Sequence, residues 1–100
     1  MKNFRTYQLA VDFYRSIMKT SFPRHLRDQV SRSSSSIALN LAEGSTRRST
    51  PDRLKYYNIA MGSLRETQTV IKLVAHDEKL AAKADLLGAH LYKLVKSMEP

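Results

Sequence analysis

From Leu80 to the end of the chain an apolar side chain returns at every third or fourth position: Leu80, Ala84, Leu87, Leu91, Leu94 and Met98. A strand alternates with a period of two, so this spacing describes one stripe along an α-helix. A strict seven-residue stripe must be buried against other helices. The predicted helix covers 78–97, with Asp77 as a capping residue at its start. Upstream, the same period recurs three times. Tyr7, Ala10, Val11, Tyr14, Ile17 and Met18 predict a helix over 6–21, with Leu9 and Phe13 beside the stripe as an edge for a second partner surface. Pro23 ends it, because the residue before a proline is pushed out of the α region.

Leu26, Val30, Ile37, Leu41 and Gly44 predict a helix over 24–46. Four consecutive serines, Ser33 to Ser36, sit inside it. They read as helix and not as a flexible linker, because the apolar period resumes in phase beyond them. Ser49-Thr50-Pro51-Asp52 reads as a helix start, with a hydroxyl cap, a proline at the first helical position and an acid near the positive helix end. The third helix is predicted over 51–75. Leu54, Tyr57, Met61, Leu64, Ile71 and Ala75 form one stripe with Gln68 in it, and Tyr56, Ala60, Ser63, Thr67, Val70 and Val74 form a second beside it. A helix apolar on two sides is central or oligomeric. Four helices with short connections predict one all-α domain over residues 1–100, an antiparallel up-down-up-down bundle. A chain of this size buries roughly 60–68% of its unfolded surface, enough for a core without cross-links.

The bundle is organised around Ser36–Gly44 on the second helix and Ala60–Glu66 on the third. If these fold back at Arg47-Arg48, Ser33 comes near Gly62 and Ser63, and Glu66 comes near Gln29 and Arg32. Glu66 is expected to pair with Arg32 or Gln29 inside the bundle. Asn40 and Glu43 are expected to hydrogen-bond the backbone of the Ser45–Pro51 connection, whose polar groups otherwise lack partners. Arg32, Asn40, Glu43, Gly44, Gly62, Ser63 and Glu66 are thus read as a structural motif.

The chain has 17 basic and 9 acidic residues and a net charge of +8. Such a balance favours polyanion contact, nucleic acid before an anionic membrane surface, against the plainer reading of a basic protein without such a ligand. The bundle topology sorts the charges. One end collects Lys2, Arg5, Arg47, Arg48, Arg53, Lys55, Lys93 and Lys96 against Glu43, Asp52 and Glu99. The other holds Lys19, Arg24, Arg27, Lys79 and Lys83 against four carboxylates. Arg5, Arg47, Arg48, Arg53, Lys55, Lys93 and Lys96 are therefore the candidate nucleic-acid-binding residues, acting by salt-sensitive phosphate neutralisation. No base-reading module is visible.

Other chemistry finds little support. There is no cysteine, and His25, His76 and His90 have no second ligand at zinc spacing. Glu43 and Glu66 lack the histidine three residues on that a di-iron bundle needs. Ser33–Ser36 and Ser63 offer hydroxyls, but the helix pairing brings no histidine to activate them. No glycine-rich phosphate loop occurs. A non-enzymatic protein without metal or cofactor is expected. No apolar run is long enough to span a membrane and the start lacks a signal-peptide core, so the cytoplasm is the expected compartment.

Gln29-x-x-Arg32, then Ser36-Ile37-x-x-Asn40-x-Ala42-Glu43-Gly44, then Arg48-Ser49, then Ala60-x-Gly62-Ser63-x-x-Glu66 together resemble the 23S rRNA intervening-sequence proteins, also called four-helix-bundle proteins. The resemblance covers about 22–66. Helix four matches only in kind, and the three–four connection is shorter than the family's. The resemblance implies a small α bundle assembled as a ring-like homo-oligomer, a homopentamer in members of known structure. Some members are encoded within insertions in 23S ribosomal RNA genes, which points to RNA. A related branch resembles accessory proteins of diversity-generating retroelements, which bind a reverse transcriptase and its nucleic acid. The resemblance carries no catalytic residues. Two functions follow as expectations: a nucleic-acid-binding protein with RNA favoured, or an interaction scaffold for a larger enzyme such as a reverse transcriptase.

Overall fold

The computed structural model describes residues 3–74 and 77–100, and the described residues form four helices and no strand. They are α1 (Phe4–Lys19), α2 (Arg24–Ser45), α3 (Thr50–Val74) and α4 (Glu78–Met98). α1 packs on α2 and α4, and α3 packs on the same two helices; among the described residues the diagonal pairs make no close backbone approach. Ala75, Lys2 and His76, which figured in the stripe, the charge tally and the histidine survey, lie outside the described residues.

Each helix starts and stops for a local reason. α1 ends two residues before the expected Ser21, because Thr20 turns extended and its hydroxyl donates to the Ser16 carbonyl at 2.8 Å. The serine run is helical throughout. Ser34 donates to the Val30 carbonyl at 2.7 Å and Ser35 to the Arg32 carbonyl at 3.0 Å, so the hydroxyls are satisfied within their own helix. Ser49 accepts from the Asp52 N–H at 3.2 Å and caps α3, which puts Pro51 at the second helical position and not the first. Asp77 caps α4 as expected, accepting from the Leu80 N–H at 3.0 Å.

The core follows the stripes, with one correction on α1. Thr6, Ala10, Phe13 and Ile17 are its buried line, and Phe13 is fully buried at the centre. Val11 and Tyr14 are only half-buried. The expected stripe and the buried line share Ala10 and Ile17, and Phe13, expected at the edge, belongs to the core. On α3 the buried set is Tyr57, Ala60, Leu64, Thr67, Val70 and Ile71. It draws on both expected stripes, so the second one is largely consumed within the subunit. On α4, Leu80, Ala84, Leu87, Leu91 and Leu94 are buried, joined by Val95.

α2 and α3 run antiparallel, but one turn out of the expected register. Ser33 hydrogen-bonds Thr67 at 2.7 Å, not Ser63, and Ser63 donates to Ser36 at 2.8 Å. The first turn of α3 therefore projects past the end of α2. Gly44 explains where the close approach lies. A Cβ there would stand 2.6 Å from Cε1 and 3.0 Å from Cδ1 of the buried Tyr57 ring. Gly44 is thus a packing glycine inside α2, not a helix terminator. Gly62 is the reverse: it is exposed, with nothing within 4 Å of an added Cβ.

Gly44 and Gly88, the two glycines whose added Cβ meets another helix, predict opposite outcomes. Gly44→Ala forces the Tyr57 ring to move and should cost about 1–3 kcal/mol. Gly88→Ala meets only Leu64 at 3.4 Å and should be neutral or stabilise by up to about 1 kcal/mol through lower chain entropy. Thermal melting of the two variants beside the parent checks both signs.

Candidate nucleic-acid interface

The connection between α2 and α3 is tied down by its own arginines. The Thr46 and Arg47 N–H groups donate to the Glu43 and Gly44 carbonyls, each at 3.1 Å. Arg47 folds back over the turn. Its guanidinium donates to Glu43 at 2.8 Å and to the Tyr56 hydroxyl at 3.1 Å, and its Cζ lies 4.9 Å from the Tyr56 ring centroid. Arg53 donates through Nε to the Arg47 carbonyl at 2.7 Å. Arg47 Nε is itself buried without a hydrogen-bond partner, a desolvation cost that the cation–π contact partly offsets. These two arginines are anchors of the turn before they are anything else.

The other expected cations are differently placed. Arg48 is exposed at the tip of the connection, and Lys93 is exposed on the last turns of α4; neither makes an ion pair among the described residues. Lys55 is exposed, with its ammonium 5.8 Å from the Tyr56 ring centroid on α3. Lys96 pairs with Glu99 at 3.3 Å and lies 5.8 Å from the Tyr92 ring centroid. Arg5 stands apart, lining a groove between α1 and α4 in which Lys83 already pairs with Asp12 at 3.2 Å. Beside the connection, Asn3, Thr50, Arg53 and Ser97 line an open groove of about 310 Å³ with Leu94 and Met98 as its apolar wall. No carboxylate lines it. The sequence pattern assigns Tyr56 to an apolar stripe and Thr50 to a helix start, and singles out neither Tyr92 nor Ser97. The spacing of Tyr92 and Lys96, one helical turn apart, is the signal that could have flagged Tyr92.

The motif residues do not anchor the connection in the expected way. Asn40 donates to the Ser36 carbonyl at 2.8 Å and to its hydroxyl at 3.0 Å, both on its own helix. The Glu43 carboxylate accepts from the side chains of Thr46 and Arg47, not from backbone. The Thr46 and Arg47 N–H groups of the connection bond the end of α2 instead. Glu66 accepts from Gln29, one of its two expected partners, at 3.5 Å, but on the exposed side of the bundle and not inside it, and Arg32 pairs instead with Asp28 at 2.8 Å with its side chain 77% exposed. Charged groups at the rim keep their hydration, which the interior would have stripped from them. Together Gln29, Arg32, Ser36, Ser63 and Glu66 border an open polar groove of about 590 Å³ between α2 and α3. His25 lines the same groove and hydrogen-bonds none of its serines. Among the described residues no three histidine or carboxylate side chains are grouped to hold a metal ion, and no helix is long and apolar enough to cross a membrane.

The division of labour among the arginines is measurable. Arg47→Ala removes a hydrogen bond, a half-exposed ion pair and a cation–π contact, and should cost about 1–2 kcal/mol. Arg48→Ala should leave stability within about 0.5 kcal/mol. Chemical denaturation of both variants tests the contrast.

No curated protein matches this chain. A family model does, and it is described as 23S rRNA-intervening sequence protein; the match covers residues 2–98 and so takes in all four helices, the α2–α3 connection and both grooves. The chain belongs to the 23S rRNA-intervening sequence protein family.

Proposed function

We propose that this is a non-enzymatic, cytoplasmic nucleic-acid-binding protein, an up-down-up-down bundle that takes RNA at its basic end. The observation that carries the reading is the cluster at the α2–α3 connection and the end of α4. There Arg48, Lys55 and Lys93 are exposed, and none of them makes an ion pair among the described residues. A carboxylate-free groove holding Arg53 lies at the same end. Phosphate neutralisation by these groups would supply affinity without sequence preference. The family's link to insertions in ribosomal RNA favours RNA over DNA.

The test follows from which cations are free. Arg47 and Arg53 hold the turn, so removing them confounds binding with stability. Arg48→Ala/Lys55→Ala/Lys93→Ala avoids that problem. Titrating a labelled single-stranded RNA should show affinity falling steeply with salt for the parent. The triple variant should bind about tenfold or more weakly at low salt, with a log–log salt slope shallower by about two units for three lost contacts. Equal affinity and equal slope would remove the reading.

A second reading concerns self-assembly, and the α2–α3 face supports it. Leu39 on α2 and Ile59 on α3 are 67% and 43% exposed, and Gly62 on α3 has open space around it. Apolar groups on a face of this kind mark an interaction surface. A ring-like homo-oligomer, a pentamer by the family resemblance, would cover it, and the same assembly could serve as a scaffold for a larger enzyme such as a reverse transcriptase. Sedimentation should then give a mass several times the 11.4 kDa of the chain, and Leu39→Asp/Ile59→Asp should reduce it to the monomer. A parent that sediments as a monomer at high concentration contradicts the proposal.

A further inference from the structure

The pole opposite the basic end holds a second cationic groove. It has a volume of about 530 Å³ and lies where α1 hands over to α2, lined by Lys19, Thr20, Ser21, Phe22, Arg24 and Arg27. Three of these side chains are cations, two are hydroxyls, and none is a carboxylate. The one acid in this part of the chain, Asp28, is held by Arg32 at 2.8 Å and lines the α2–α3 groove on the other side of the helix. The tally by bundle end hid this site, because three of the four acids that balance the pole, Asp77, Glu78 and Asp85, belong to α4 and its cap.

The placement of the cations is unfavourable for the free protein. Arg24 opens α2 and Arg27 is in its first turn, at the positive end of a 22-residue helix that has no acidic residue in that turn and no side-chain cap on Pro23. Cations there oppose the helix dipole, and an anion would relieve them. Arg27 is also fixed in place. It donates from NH1 to the Thr20 carbonyl at 2.7 Å and from NH2 to the Met18 carbonyl at 3.3 Å. Those two bonds leave the guanidinium with further N–H donors and hold it rigid against the groove. Lys19 and Arg24 stand exposed on either side.

We propose that this groove binds phosphate groups, with Arg27 as the fixed donor and Lys19 and Arg24 as the flanking charges. The α2 axis separates it from the Arg48 end by about 33 Å, at about 1.5 Å per residue, so it is a site of its own and not a continuation of the first. Its phosphate comes either from a nucleic-acid backbone or from a free phosphate species. The first source rests on the RNA reading above; the second does not.

The test uses Lys19→Ala/Arg24→Ala, two exposed side chains, and leaves Arg27 in place because it ties α1 to α2; an unchanged melting curve verifies the fold. Two probes are applied: labelled single-stranded RNA, and inorganic phosphate followed through the amide NMR signals of residues 19–27. With RNA, the variant should lose about tenfold in affinity at low salt and flatten the salt slope by about 1.4 units, the value for two contacts. That result assigns the groove to the nucleic-acid backbone. If RNA binding is unchanged but inorganic phosphate shifts those signals in the parent and not in the variant, the groove stands as a free-phosphate site. Unchanged RNA binding with no phosphate shifts overturns the proposal. The Arg48/Lys55/Lys93 variant run in parallel keeps the two readings apart. If only that variant loses RNA and phosphate shifts nothing, this groove is ruled out and the basic end survives. If only Lys19→Ala/Arg24→Ala loses RNA, the basic end is ruled out and the groove survives.

Discussion

The seam between α2 and α3 fixes the rest of the molecule. Ser33 against Thr67 and Ser36 against Ser63 are hydroxyl pairs at 2.7 and 2.8 Å, and Ser33 and Thr67 are buried. Ser33 and Thr67 also bond the Val30 and Ser63 carbonyls of their own helices at 3.4 and 2.8 Å, so a slip of register by one turn forfeits the cross-seam bonds, each worth about 0.5–1.5 kcal/mol, without leaving these hydroxyls unpaired. Gly44 adds a steric lock at the far end of the seam, where only a residue without Cβ lets the Tyr57 ring pack this close to α2. The register in turn sets Tyr56 beside Arg47, and so the shape of the connection.

The connection shows how a small basic protein divides its charges. Arg47 and Arg53 lie between helix end and ring, and make hydrogen bonds to Glu43, Tyr56 and the Arg47 carbonyl. Arg48 lies between them in sequence and is exposed. Alternation of anchored and exposed cations is a consequence of the turn: the residue at its tip has no neighbour to fold back upon. A rigid turn presenting an exposed charge loses less side-chain entropy on meeting a phosphate than a loose loop would.

Much of the architecture could be read from residue spacing alone. Helix ends fell within two residues of their expected places, and the four-serine run was correctly placed inside a helix, because periodicity survives a locally unfavourable composition. Phe13 was misassigned because Val11, Tyr14 and Phe13 are all apolar and spacing cannot rank them; only the position of α2 and α4 decides which points inward. The register was off by one turn because a loop's length does not tell how far the next helix projects along the axis. Arg32 and Glu66 were expected inside the bundle, and here the error is instructive. Polar residues in fixed relation to small ones mark a surface as readily as an interior, and side-chain hydration decides between them. The groove at Lys19, Arg24 and Arg27 escaped notice because net charge was counted by pole, whereas a groove is lined by a few neighbours.

Hydrogen–deuterium exchange of the protein alone and saturated with single-stranded RNA tests the central claim most directly, because it reports where contact occurs without substituting any residue. The account predicts slowed exchange over residues 45–55 and 92–98, with the α2–α3 motif face at 36–40 and 59–66 unchanged by RNA. Slowing confined to that motif face, or no change anywhere at saturating RNA, would contradict a nucleic-acid site at the basic end.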